Sequence, residues 1–141
     1  MAKRKLIKIE TTVADAVSTA FGVITELAEE MRDAFDNTPK SLQQSGVGEA
    51  RGEAADTLES ISEPDVPEDM ADIKIEFETL PLMARASRAQ RLSDGLHYAY
   101  LAIEAAEAAE GLDEDEVSTF TTEVQDMIDE AEGVEFPGMF G

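Results

Sequence analysis

The sequence predicts a mainly α-helical single domain: a bundle of about four helices around a central apolar helix at 88–110. The pattern also admits a small two-stranded β-ribbon of residues 5–9 with 73–78. Three observations predict this. Through four long segments, apolar residues recur at spacings of three and four, which lines one face of a helix. One short segment alternates strictly instead, the period of a half-buried strand. Pro39, Pro64 and Pro67 fall between the periodic segments, where a helix has to stop.

Residues 1–10 are a basic N-terminal segment in which Lys5-Leu6-Ile7-Lys8-Ile9 is short and β-branched. The first helix is expected over 13–36, with Val13, Val17, Phe21, Ile24, Ala28, Met31 and Phe35 on its apolar face. Asp15, Glu26, Glu29, Glu30, Asp33 and Asp36 take the opposite face. Thr12 with Asp15 three residues on resembles a capping box, and Asn37-Thr38-Pro39 ends the run. A second helix is expected over 47–62, with Val47, Ala50, Ala54, Leu58 and Ile61 inward. Gly46, Gly48 and Gly52 weaken its first turns, so its start is expected to fray. Residues 62–72 are an acidic connector stiffened by Pro64 and Pro67.

Ile73-Lys74-Ile75-Glu76-Phe77-Glu78 alternates as a strand does, and pairing it with 5–9 sets Lys5 or Lys8 against Glu76 or Glu78. The third helix, 88–110 with Ser87 as its cap, is apolar nearly all round. Leu92, Leu96, Tyr100 and Ile103 lie on one side, with Tyr98, Leu101, Ala105 and Leu112 on the other. A helix of that kind is expected at the centre, with Leu96, Tyr100 and Ile103 in the core. Gly111 stops it. The fourth helix, 115–132, buries Val117, Phe120, Val124, Met127, Ile128 and Ala131 and turns Asp115, Glu123, Asp126, Asp129 and Glu130 outward. Gly133 suits a C′ position, and 133–141 forms a short apolar tail.

At 141 residues, the chain buries roughly two-thirds of its unfolded surface. With 43% hydrophobic residues in periodic order, the charge reads as the surface of a folded protein. The absence of cysteine excludes disulfides and thiolate metal sites. No apolar run fits a secretory signal or a membrane span, so a soluble, cytoplasmic protein is expected.

Charge is the most informative feature. After Arg91 no lysine or arginine follows, while residues 92–141 hold fourteen of the thirty-two acids and so supply −14 of the net −21. Such a surface repels nucleic acid and anionic membrane and attracts basic proteins. Neither direct nucleic-acid binding nor membrane association is expected.

The search for chemistry returns little. The single histidine, His97, shares a polar stripe with Glu104, an arrangement that can shuttle protons but more often is structural. Asp113-Glu114-Asp115-Glu116 has the composition of a calcium loop without its spacing, and a helix N-terminus accounts for these acids better. No phosphate-binding loop or nucleophile elbow occurs, so no enzyme, metal or cofactor is expected. Arg85, Arg88 and Arg91 can grip phosphate, but intramolecular balance of neighbouring acids is the favoured reading. Lys3, Arg4, Lys5 and Lys8 read as a nucleic-acid arm or, equally, as a clasp on the acidic body. Phe136, Met139 and Phe140 give the tail the character of a docking peptide, against which folding back onto the bundle is preferred.

A chain of this length has a compact diameter of about 37 Å, and duplex DNA of that length carries about 22 phosphate charges. The net charge is −21. In composition, size and expected helicity the chain is similar to the acidic DNA-mimic inhibitors that some phages direct against restriction enzymes. No motif carries that likeness, and no residue roles follow from it. The function expected is noncatalytic binding of a basic protein, with proteins that hold DNA among the candidates, through Asp115, Glu123, Asp126, Asp129 and Glu130, or through Phe136, Met139 and Phe140. The alternative is a small assembly accessory, of a virion or another complex, whose acidity serves solubility or a high-salt host.

Overall fold

Thr12 closes a strand and opens a helix. In the computed structural model, which describes residues 5–136, its hydroxyl accepts a hydrogen bond from the Asp15 N–H at 3.2 Å. Strand β1 (Ile7–Thr12) therefore runs directly into helix α1 (Val13–Asp36). The chain continues through α2 (Lys40–Gln43), α3 (Gly46–Ser60), α4 (Glu68–Ala71), β2 (Lys74–Thr79), α5 (Arg88–Ala108) and α6 (Glu114–Glu132). The four expected helices and the ribbon are all present. The single-turn helices α2 and α4 were not anticipated. Each starts at a proline, Pro39 or Pro67, whose carbonyl accepts the N–H groups of the turn that follows. These prolines begin short helices as well as ending long ones.

β1 and β2 pair antiparallel, with Lys8 opposite Glu78, Ile9 opposite Phe77, Glu10 opposite Glu76 and Thr11 opposite Ile75. β1 lies two to three residues beyond the expected 5–9, because it extends to the helix cap, and β2 lies one residue beyond the expected 73–78. Phe77 fastens the ribbon to α5 by edge-on ring contacts with His97 and Tyr98, at centroid distances of 5.4 and 5.3 Å.

One hydrophobic cluster gathers side chains from α1, α3, α4, β2, α5 and α6. α1 contributes Val13, Ala16, Val17, Ala20, Ile24, Leu27, Ala28 and Met31, and packs on both α3 and α5. α5 is held among α1, α6 and β2, as expected of a central helix, but Ser93, His97, Tyr100, Glu104 and Glu107 leave one stripe exposed and the buried residues differ from those expected. Its buried stripe is Leu92, Gly95, Leu96, Ala99, Ala102 and Ala106. Small side chains at these positions let α5 approach α1 closely: a Cβ on Gly95 would lie 2.9 Å from that of Val23. The larger residues are displaced to the flanks. Tyr100 is 38% exposed and Ile103 is half-buried, which corrects their expected place in the core beside Leu96.

α3 departs from expectation in two ways. Val47 is 51% exposed. The helix is formed from Gly46 onward, beneath a Ser45 hydroxyl that accepts from the Gly48 N–H. Gly48 and Gly52 are buried against Leu42–Gln43 and Phe35, so the glycines serve packing, where fraying was expected. At the far ends, α5 stops at Ala108 and the chain turns through Gly111 at φ +81°. Gly133 sits at the α6 C-cap with φ −75°, so it does not adopt the left-handed C′ conformation.

Candidate functional site

α6 places the acids. Asp113 caps it, with one carboxylate oxygen accepting from the Asp115 and Glu116 N–H groups at 2.8 and 3.2 Å. The tetrad 113–116 is thereby used as a helix start, where carboxylates sit favourably against the N-terminal dipole. Among the described residues, no group of three or more histidine or acid side chains is arranged to hold a metal ion. Phe120, Val124, Met127, Ile128 and Ala131 fix one face of α6 against the core. The opposite face is acidic. Glu114, Asp115, Glu116, Glu123, Asp126, Asp129, Glu130 and Glu132 are all exposed.

None of those eight carboxylates takes part in an ion pair among the described residues. A helix of α6's length spans about 28 Å, so the eight carboxylates average about one per 3.6 Å of axis, near the ~3.4 Å of one DNA strand, but they fall in two groups, 114–116 and 123–132, separated by about 10 Å. Asp129 accepts from the Gln125 side chain at 2.9 Å, and Glu132 accepts from the Tyr100 hydroxyl at 2.6 Å. The Tyr100 phenol is held above its ordinary value, first by that hydrogen bond and then by burial.

The connector enlarges the acidic face. Glu63 and Asp65 line a cleft of about 270 Å³ with Glu123, Asp126 and Glu130, over a floor that includes the buried Ile61, Pro64 and Met127. A second hollow brings Asp65 beside Asp115, Glu116 and Glu123. The sequence marks 62–72 as acidic, but its seat against α6 is a long-range contact that no local pattern encodes.

The cations are engaged elsewhere. Arg91 reaches Glu26 at 2.8 Å and Glu30 at 2.9 Å, and Arg88 meets Glu30 at 3.3 Å. Arg32 of α1 pairs with Asp56 and Glu59 of α3, the latter at 2.7 Å. The Arg91 hydrogen bond holds the Glu30 carboxyl below its ordinary range, and Arg32 does the same to Glu59. Arg88 and Arg91 therefore act as intramolecular balance. Arg85 stands apart, exposed on the rim of an apolar groove of about 860 Å³ that Leu80, Leu82 and Met83 also line. That groove was not anticipated, because residues 80–86 carry no periodic pattern.

His97 is exposed, and its ring contact is with Phe77; no hydrogen bond joins it to Glu104. Phe136 is half-buried against the core and borders a hollow lined by Leu92, Leu96 and Tyr100, so the tail begins by folding back. Met139 and Phe140 lie outside the described residues, as do Lys3 and Arg4. No helix among the described residues is long and apolar enough to cross a membrane. The chain matches no protein-family model, no curated protein and no solved structure.

Proposed function

We propose that this chain is a noncatalytic binding protein that presents α6 and the 63–65 connector to a basic protein, in the manner of a DNA strand. The observation that carries the reading is the set of exposed α6 carboxylates, without an ion-pair partner among the described residues and with an average charge density per length near that of one DNA strand. A protein built to hold DNA carries a matching density of cations and meets here a helix with no lysine or arginine of its own. Asp115, Glu123, Asp126, Asp129 and Glu130 make the central contacts, and Glu63 and Asp65 extend them.

The test is competition. DNA-binding proteins of the native host are passed over the immobilised chain. The expected partner is retained at low salt, released at high salt and displaced by duplex DNA. Replacing Asp126, Asp129 and Glu130 by their amides weakens retention and flattens its salt dependence, since fewer contacts remain to be screened. A partner held equally by that triple variant and lost when Phe136 and Phe140 become alanine would sink the reading.

The second reading, an assembly accessory of a virion or other complex, draws on the apolar groove, where Met83 is 65% exposed and Leu80 and Leu82 accompany it. In that reading the acids keep the particle soluble or suit a high-salt host.

A further inference from the structure

Among the described residues the ribbon has two strands, and each has one edge without a neighbouring strand. No backbone hydrogen bond beyond the ribbon's own joins residues 7–12 to the rest of the described chain. β1 is the more open strand: it buries no residue fully and Ile7 is 42% exposed, with Leu6 just before it 59% exposed, whereas β2 buries Ile75. Isolated two-stranded ribbons are marginal, and an open edge is a template for another strand.

The charges on β1 say which strand fits. We propose that β1 pairs antiparallel with β1 of a second copy of this chain, making a four-stranded sheet across a two-fold axis at Ile9. A symmetric pairing that keeps the isoleucine faces on one side must set residues of like parity opposite each other. Within 5–12, the only such register that sets a lysine against an acid is Ile9 opposite Ile9. Lys8 of each copy then faces Glu10 of the other, twice by symmetry.

The pairing also relieves a conflict inside the chain. Glu10 stands directly opposite Glu76, a like-charge pair, with Lys8 serving both at 3.4 and 3.8 Å. A second lysine delivered to the other side of Glu10 neutralises what one lysine has to share. Backbone hydrogen bonds and the joined isoleucine faces supply affinity, while the exposed Lys8–Glu10 pairs fix the register.

Sedimentation measures the outcome. The wild-type chain is expected to reach twice its 15.3 kDa mass as concentration rises. Glu10→Lys strengthens the intrachain ribbon opposite Glu76 but sets lysine against lysine across the seam. It is expected to weaken the dimer about tenfold or more while the helical circular dichroism is kept. Lys8→Glu weakens it likewise. Mixing the two single variants pairs glutamates with lysines throughout and is expected to restore a heterodimer. A wild-type mass of one chain at all concentrations overturns the proposal. So does a dimer that Glu10→Lys leaves unchanged, or a mixture that fails to reassociate.

Discussion

Where α1 meets α3 and α5, the carboxylates of Glu26, Glu30, Asp56 and Glu59 each lie against a guanidinium, whereas eight carboxylates on α6 have no cation in ion-pair reach among the described residues. Both regions carry acidic stripes opposite an apolar face, and their composition alone does not separate them. Position does. Arg32, Arg88 and Arg91 are spent within the first ninety-one residues on the acids facing them, and α6 lies wholly beyond the last basic residue. The net charge of −21 therefore hides a contrast: four acids where α1 meets α3 and α5 are locally neutralised, and among the described residues those of α6 are not. The paired acids act as struts between helices. The unpaired acids contribute a field that reaches about one Debye length, ~8 Å at physiological salt, into the solvent.

The largest effect expected from breaking this contrast comes from detaching the bare helix. Phe120 is fully buried and anchors α6. Phe120→Ala is expected to cost about 3–5 kcal/mol, the range for a large aromatic removed from a core. Urea unfolding checks it, and the basic partner should be lost together with α6 packing. A cost below ~1 kcal/mol would show that α6 is not fixed where its acids are counted as one face.

The fate of Ile103 shows what the sequence conveyed and what it withheld. Helix positions were legible because period, caps and prolines are local signals: Thr12 and Ser87 cap as expected, by accepting from Asp15 and Gln90. The outward acids of α6 were legible for the same reason. The buried face of α5 was not. Apolar size points to Tyr100 and Ile103, but the close approach of α1 selects Gly95, Ala99 and Ala102, and only the neighbouring helix reveals that. Which arginine meets which acid, and the seat of Glu63 and Asp65 beside α6, depend likewise on contacts dozens of residues apart.

On the paired side, Arg91→Ala removes the guanidinium that joins α5 to Glu26 and Glu30. It is expected to cost about 1–2 kcal/mol at neutral pH, below the value for a deeply buried pair because these side chains remain partly exposed. Its pH dependence follows from Glu30, whose carboxyl is lowered from 4.5 in the folded chain. A lowered carboxylate stabilises above its unfolded value and loses that contribution as pH falls through the folded one. The gap between wild type and Arg91→Ala should therefore be full at pH 7 and close as pH drops below about 4.5. Melting curves across that window measure it. A gap that stays constant would mean that Arg91 acts through packing of its aliphatic stem.

The smallest effect is expected on the bare side, and its sign is opposite. Replacing Asp126, Asp129 and Glu130 by amides removes no ion pair among the described residues; it removes repulsion along α6. Surface changes of this kind move stability little, so the melting midpoint should rise by about one or two degrees at low salt. The wild-type midpoint should itself rise with sodium chloride as the same repulsion is screened, and the two proteins should converge at high salt. Arg91→Ala behaves differently, since a partly buried clamp is screened less than exposed charges are. A triple-amide protein that melts lower than wild type at low salt would mean that these carboxylates are paired after all, and the division between a strutted side and a bare side would fail at α6.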